Sequence, residues 1–230
     1  MKKYFSILLL WLTLFSGCSD INPSNNPDAI ISFKDIVAAG ICIRNFDLNG
    51  DGQLSYAEAA GVTTLDEETF AGTSIRSFDE FRFFLGIKTE KYWINDHVFE
   101  NCRTLESIQL PNSFTMIPQS FFNGCSSLKS INLPEGITYI ASNAFTDCSS
   151  LLEITLPTTI EGVDSPFGGC TGLKKFTIKA AEPLSEENCR EIARSLVETS
   201  AVVYVPKKDL NYYQSSFSNE GFPKERIKSL

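Results

Sequence analysis

The most constraining feature of this chain is a repeat of about 23 residues that runs from residue 94 to residue 178. Complete units span 94–116, 117–139 and 140–162, and a shorter unit begins at residue 163. Equivalent positions step by 23, 23 and 22 residues and form columns: Phe99, Phe122, Phe145, Phe167; Cys102, Cys125, Cys148, Cys170; Leu105, Leu128, Leu151, Leu173; Ile108, Ile131, Ile154, Phe176; Leu110, Leu133, Leu156, Ile178. Such self-similarity predicts a solenoid, because one unit cannot bury its apolar face alone.

Each complete unit ends in Leu-x-x-Ile-x-Leu-Pro, which predicts a short strand. Its last two apolar residues lie two apart and point to one face. Pro111, Pro134 and Pro157 end the strands because proline lacks the ladder N–H. The pattern Phe-x-x-Cys-x-x-Leu-x-x-Ile-x-Leu-Pro resembles the leucine-rich repeat of BspA-like bacterial surface proteins, over about Val62 to Leu230. The resemblance implies an α+β fold built on a leucine-rich repeat solenoid with rungs of about 23 residues.

One column departs from the general leucine-rich pattern, which has Asn or Cys three residues after the last strand Leu. Ser113, Gly136 and Thr159 occupy that position here, and the cysteine lies before the strand instead. The usual asparagine ladder is therefore absent, and the backbone of the turns needs other partners.

The repeat cysteines recur once per rung, which is typical of free, buried cysteine used as a small apolar residue. A tetrahedral zinc site needs ligands that converge on one point, whereas a column of stacked rungs runs in a line. We expect free thiols, with one disulfide between adjacent rungs left open as an alternative. Cys42 and Cys189 lie in predicted helices and are expected to be packed.

The N-terminus predicts export and lipid anchoring. Lys2 and Lys3 precede a short apolar run, and residues 1–17 read as a signal peptide rather than a spanning helix. The ending Phe-Ser-Gly-Cys resembles a lipobox, with Phe15 at the Leu/Val position, and implies acylation of Cys18. Ordinary secretion is the alternative. Residues 18–30 are polar and rich in Asn and Pro, which predicts a tether.

Charge and composition narrow the function classes. The formal net charge is −8, and −10 without Lys2 and Lys3. An acidic surface repels phosphate backbones, so we expect no nucleic-acid partner. His97 is the only histidine, which disfavours an enzyme because most acid–base and triad chemistry uses this residue.

A calcium loop is the most specific chemical motif. Residues 47–58 match D-x-[DN]-x-[DN]-G-x5-E at every position and resemble the EF-hand loop and the related loop of dockerins. Calcium prefers six to eight hard oxygen ligands. The expected ligands are the side chains of Asp47, Asn49 and Asp51, the carbonyl of Gln53, Ser55 directly or through water, and both carboxylate oxygens of Glu58. Gly52 permits the sharp turn, and Ser55 and Glu58 form a capping box.

The loop belongs to a predicted N-terminal cap over residues 31–61. Ser32 is expected to start its first helix, with Ile36 on the apolar face. Only one such loop is visible, so we expect it to lean on the first rung of the solenoid, which spans 62–179. Subtracting 23 from Ile108 and Leu110 predicts an earlier rung at Leu85 and Ile87. The phenylalanines of 78–84 and the pair Tyr92 and Trp93 are expected in the core, with an aromatic contact surface as the alternative.

Residues 180–230 predict a C-terminal α/β cap that covers the last strand. A helix from Ser185, a strand over Ala201–Val205, a helix around Asp209–Phe217 and a last strand near Arg226–Leu230 are expected.

The predicted function is that of a lipid-anchored, calcium-binding, adhesin-like module and not an enzyme. The expected contact surface is the solvent face of the strands: Ser107, Gln109, Ser130, Asn132, Glu153, Thr155, Lys175 and Thr177. Its partner would be a protein or a glycan, and the chain is expected to be a monomeric outer-membrane lipoprotein at the cell surface, with the periplasmic face left open. The alternatives are an accessory subunit of a glycan-degrading system, for which Glu153 with Glu161 or Asp164 are the candidate carboxylates, and a structural envelope protein.

Overall fold

The computed structural model describes residues 26–89 and 95–230. The predicted signal peptide, Cys18, Tyr92 and Trp93 lie outside these residues. Within them the helices are α1 (Ile36–Phe46), α2 (Tyr56–Gly61), α3 (Glu186–Leu196) and α4 (Leu210–Ser218). The strands are β1 (Ser77–Phe78), β2 (Ser107–Ile108), β3 (Met116–Ile117), β4 (Tyr139–Ile140), β5 (Glu153–Leu156), β6 (Gly162–Val163), β7 (Lys175–Ile178), β8 (Val202–Val205) and β9 (Ile227–Ser229). Short 3-10 helices span Asp79–Phe83, Lys207–Asp209 and Lys224–Arg226.

Parallel pairing joins equivalent positions of successive rungs. Tyr139 of β4 pairs with Met116 of β3 on one side and Gly162 of β6 on the other. Strand β5 pairs with β7 in the register Glu153–Lys175. The chain therefore has a leucine-rich repeat fold with mixed helices and strands, and one continuous hydrophobic core runs from Ile31 to Ile227.

The phenylalanine column forms a stack through this core. Phe70, Phe99, Phe122, Phe145 and Phe167 follow one another with ring centroids 5.1, 5.6, 5.4 and 5.6 Å apart and interplanar angles of 13–19°. All five rings are buried. Phe70 is a member that the repeat did not predict, because it lies 29 residues before Phe99 rather than 23.

The cysteine column supplies hydrogen-bond donors to backbone carbonyls, a role that the missing asparagine ladder does not fill here. The thiols of Cys102, Cys125, Cys148 and Cys170 donate to the carbonyls of Phe70, Phe99, Phe122 and Phe145, one rung earlier, at 3.0–3.2 Å. Every cysteine in the described residues is a free thiol. Burial raises the pKa of the Cys170 thiol to about 12, so the column consists of neutral hydrogen-bond donors rather than reactive thiolates.

The first rung is irregular. Its strand β1 pairs with β2 in the register Ser77–Ser107 and Phe78–Ile108, an offset of 30 residues. The prediction that Leu85 and Ile87 face inward is half wrong, because Ile87 is buried but Leu85 is exposed. The 3-10 helix that follows β1 carries the chain away from the 23-residue period and puts Phe78 where Leu85 was expected.

Asp35, rather than Ser32, begins the first helix. Its Oδ1 accepts from the amides of Val37 at 2.8 Å and Ala38 at 3.2 Å, so α1 starts at Ile36. Both residue types cap helices well. The predicted place of Ile36 on the apolar face is wrong, since its side chain is 87% exposed at the first position of the helix.

The C-terminal residues continue the solenoid sheet and pack helices against it. Strand β8 pairs with β7, and β9 pairs with β8, all parallel. Helices α3 and α4 pack through buried side chains such as Cys189, Ile192 and Tyr213. The Tyr213 hydroxyl accepts from the amide of Leu184 at 3.1 Å. In the two described stretches, no helix is both long enough and apolar enough to cross a bilayer.

Candidate calcium loop and sheet groove

The loop between α1 and α2 is shaped by its own carboxylates. Asp47 Oδ1 accepts from the Gly50 amide at 2.7 Å, and its Oδ2 accepts from the Gly52 amide at 2.8 Å. Asn49 Oδ1 accepts from the amide of Asp51, and Asp51 Oδ1 from that of Gln53, both at 2.8 Å. These bonds fold residues 47–53 into successive turns.

Two glycines allow the loop to bend. Gly50 and Gly52 have φ angles of +73° and +80°, in the left-handed region that side chains disfavour. The position of Gly52 matches the glycine that the motif requires for its sharp turn.

Glu58 reaches back across the loop from the first turn of α2. Its Oε1 accepts from the amides of Leu48 at 3.0 Å and Asn49 at 3.3 Å, and its Oε2 accepts from the amide and hydroxyl of Ser55. The bond from the Ser55 amide lowers the pKa of Glu58 against the opposing effect of burial, and the other bonds lower it further. The predicted capping box of Ser55 and Glu58 is present.

The donor set suits a hard cation in its chemistry. Residues 47–58 contain three carboxylates, two side-chain amides, two hydroxyls and the backbone carbonyls, with no Lys or Arg. In the residues that the structure describes, no three His, Cys, Asp or Glu side chains converge as a metal site. The loop carboxylates instead bond to backbone amides. A bound calcium ion would offset two of the three negative charges that Asp47, Asp51 and Glu58 bring to this end of the molecule.

The loop is joined to the first rung through the helix that precedes it. Asp35 Oδ2 accepts from the amides of Arg76 at 2.7 Å and Ser77 at 3.3 Å. Lys34 Nζ lies 2.8 Å from Asp79 Oδ2. The Phe46 ring meets Phe84 edge-on with centroids 5.6 Å apart, and Tyr56 meets Phe83 at 4.7 Å. The dense phenylalanine segment therefore packs against the cap.

A groove follows the solvent face of the strands, with a volume of about 840 Å³. The structure brings seven of the eight predicted contact residues together in its lining: Ser107, Gln109, Ser130, Asn132, Glu153, Thr155 and Lys175. Asp79, Glu135 and Lys179 also line it. The lining thus offers hydroxyls, amides and charges of both signs.

Thr177 corrects the prediction, because it is only 3% exposed. It pairs with Tyr204 of β8, so the added strand lies beside it and removes it from the open face. The same strand brings residues that sequence reasoning missed: Tyr204 continues the row of Thr155 and Thr177, with Lys175 Nζ 5.8 Å from its ring centroid. The alternation in Val203-Tyr204-Val205, with both valines buried, is the signal that could have found it.

Residues 63–195, more than half of the chain, match the model of the BspA type leucine rich repeat region in six copies. The chain belongs to the BspA-type leucine-rich repeat family. No curated protein sequence matches it.

Solved structures include other leucine-rich repeat proteins. A leucine rich cell surface protein from Faecalibacterium prausnitzii is 37% identical over 37% of this chain and 23% of its own, with a TM-score of 0.36. A leucine rich repeat protein of T. pallidum is 26% identical over 51% of this chain and 57% of its own (TM-score 0.41), and one from Bacteroides ovatus is 20% identical over 76% and 45% (TM-score 0.40). The chain spans less than two thirds of each of these proteins.

The candidate catalytic carboxylates of this BspA-type chain do not face one cleft. Glu153 lines the strand groove, whereas Glu161 lines a different cavity of about 540 Å³ beside Tyr139 and Asn188. Asp164 accepts from the hydroxyl of Ser142. His97 pairs with Glu100 at 2.7 Å in a rung turn. Glycoside hydrolysis needs two carboxylates that flank one bond, so these positions do not support it.

Proposed function

We propose that this chain is a calcium-binding leucine-rich repeat module, anchored to the bacterial envelope by lipid at Cys18, that binds a protein or glycan through the strand groove. The observation that carries the proposal is the groove itself. Seven polar positions from four successive rungs line one cavity of about 840 Å³, and none of the described residues that line it belongs to an α-helix. Leucine-rich repeat proteins commonly act through such protein-binding surfaces.

The lining favours hydrogen-bonded recognition. Ser130 and Asn132 sit exposed at its centre, with Glu153 and Lys175 on the rungs that follow. Amides and hydroxyls both donate and accept, so they suit peptide backbones and sugar hydroxyls alike. The acidic charge of the whole chain disfavours nucleic acid as the partner.

Calcium binding is proposed from the complete motif and its oxygen donors. Asp47, Asn49, Asp51, Ser55 and Glu58 would hold the ion with the Gln53 carbonyl, and the ion would supply a fixed positive centre that stabilises the cap. Extracellular calcium modules bind at about 10⁻⁴–10⁻³ M. We therefore expect the site to fill outside the cytoplasm.

Lipid anchoring is proposed from the signal and lipobox residues, and the BspA-type repeats support the proposal of an outer-membrane position facing the outside. More than one acyl chain holds a protein stably on a membrane. Replacing Cys18 with Ala should abolish fatty-acid labelling. A protease that does not enter intact cells should degrade the wild-type chain; protection until lysis would assign it to the periplasm and favour the structural envelope role.

A pair of arginine variants tests the groove. Asn132→Arg introduces a large charge into it, and Thr115→Arg introduces the same charge at an exposed residue of the other cavity. Binding of labelled chain to extracellular matrix proteins, bacterial cells and polysaccharides should fall at least ten-fold for Asn132→Arg only. Equal binding by both variants, or turnover of a polysaccharide, would contradict the proposal.

A further inference from the structure

A short N-terminal segment, residues 27–31, which we name the strap, runs antiparallel to the end of the calcium loop. Ile30 forms an antiparallel bridge with Ser55. The Ile31 amide donates to the Leu54 carbonyl at 2.8 Å. Although the sequence predicts a tether through residue 30, its last residues are bonded to the folded domain.

The strap also holds the first turn of α2. The first amides of a helix lack partners inside the helix. Here the Ala29 carbonyl accepts from the Tyr56 amide at 3.0 Å, and the Pro27 carbonyl accepts from the Ala57 amide at 2.7 Å. The next amide, that of Glu58, donates to the Ser55 hydroxyl. Two of the three leading amides of α2 thus depend on the strap.

Beyond the strap, the chain is fixed to the first rung. The side chain of Ile31 is buried in the core. The amide of Lys34 donates to Glu80 Oε1 at 3.3 Å, and Asp35 bonds to Arg76 and Ser77. The strap is therefore held at its C-terminal end by the solenoid and along its length by the loop.

We propose that the strap is a positioning element of the calcium site. By fixing the first turn of α2 it fixes the carboxylate of Glu58, which would close the shell around the ion. This inference rests on the proposed calcium binding. The strap takes the supporting place that a second loop fills when such loops occur in pairs. Because coupling between sites is reciprocal in free energy, calcium also makes release of the strap less favourable, where the predicted tether from Cys18 joins the domain.

Three substitutions in the full chain separate the strap bond from other effects. Ile31→Pro removes the amide that donates to Leu54. Ile31→Ala keeps this amide and shortens the same buried side chain. Ile30→Pro removes a neighbouring amide that makes no bond to the loop. Calcium affinity is measured by titration calorimetry with CaCl₂ on the full chain in detergent, after circular dichroism has established that each variant is folded.

We expect Ile31→Pro to weaken calcium binding about ten-fold or more, as the loss of supporting groups around metal ligands typically does. Ile31→Ala and Ile30→Pro should stay within about three-fold of the wild type, well below that loss. If Ile31→Pro binds as Ile30→Pro does, or if Ile31→Ala is as weak as Ile31→Pro, the strap inference is overturned while calcium binding stands. If the wild-type chain binds no calcium, both proposals fall. If Ile31→Pro does not fold, Ala29→Pro takes its place with the same expectation of weaker binding. This substitution removes the Ala29 amide that donates to the Asn26 carbonyl, and so loosens the turn that presents the Pro27 and Ala29 carbonyls to α2.

Discussion

From Phe99 to Cys170 the rungs repeat the same phenylalanine stacking and the same thiol–carbonyl bond, whereas the junction of the cap with the first rung uses each contact once. A regular rung adds one stacked phenylalanine and one thiol–carbonyl bond to the rung before it. At the junction, the single carboxylate of Asp35 accepts from four amides, two in α1 and two in the first rung.

This difference predicts how the stability of each region responds to single substitutions. Repeated contacts are redundant, so the loss of one bond leaves its neighbours in place. A unique contact has no substitute, and its loss frees a whole element. We therefore expect core volume to dominate stability in the rungs and individual polar groups to dominate it in the cap.

The largest expected effect lies in the phenylalanine stack. Phe122 is buried between Phe99 and Phe145, so Phe122→Ala should lower the free energy of unfolding by about 3–5 kcal/mol in urea titrations. Phe46→Ala, at a half-buried ring of the cap, should have a smaller effect. A larger loss at Phe46 would contradict the expectation that core volume matters most in the rungs.

Asp35→Asn should lower the free energy of unfolding by about 2–3 kcal/mol, as for hydrogen bonds to a charged group. Asparagine still caps α1 but offers one oxygen for the two sets of amides. Burial works to raise the pKa of Asp35, and the amides of Arg76, Ala38, Val37 and Ser77 outweigh it, so the pKa is lowered.

The depressed pKa also sets a pH dependence. The stabilisation from Asp35 is present above about pH 4, the ordinary aspartate value, and is lost as the pH falls through the lower folded pKa. Asp35→Asn should remove this part of the acid destabilisation. Asp147→Asn, at an exposed rung turn, should change neither the free energy of unfolding nor its decrease at low pH. If Asp147→Asn changes both as much as Asp35→Asn does, the carboxylate at the junction has no special role.

A rung bond should matter less than the junction. Cys148→Ala removes the thiol that donates to the Phe122 carbonyl and should lower the free energy of unfolding by about 1–2 kcal/mol. Cys148→Ser keeps a donor and should lose less. Cys189→Ala, outside the column, removes a buried thiol whose bond to the Leu184 carbonyl is longer, at 3.7 Å, and should lose less than Cys148→Ala. If serine is no better than alanine, the thiol acts through packing alone.

Calcium gives the smallest expected effect. At free calcium ten times the dissociation constant, binding should stabilise the wild-type chain by about 1.4 kcal/mol. Glu58→Gln should abolish this increase, measured as a shift of the thermal midpoint. Gln53→Ala should keep it, since that residue would contribute only its carbonyl. A calcium response that survives Glu58→Gln would contradict the proposed site.

Much of the solenoid is predictable from the sequence because its information is periodic. The columns of Phe99 and Cys102 predict which side chains point into the core, even though the sequence shows no contacts. The partner of each thiol is not predictable, since the period locates the cysteine but not the carbonyl of the rung before it. The 30-residue first rung and Phe70 follow no period, so subtraction from Ile108 chose Leu85 instead of Phe78.

The site shows the same division. The calcium motif and six of its residues stand in one local stretch, and local patterns are readable. The burial of Thr177 depends on a strand from the distant C-terminal cap, and the choice of Asp35 over Ser32 depends on amides 41 and 42 residues away. The strap at 27–31 is short and directly follows the polar, Asn- and Pro-rich residues before it, so the sequence does not separate it from a tether.

The most direct test of calcium binding at the cap is hydrogen–deuterium exchange of the full chain with and without millimolar calcium. Calcium should slow exchange in residues 47–58 and in the strap, and should leave the rungs over 117–162 unchanged. Exchange that is the same with and without calcium at residues 47–58, or that slows equally in the rungs, would contradict the claim that calcium orders the N-terminal cap.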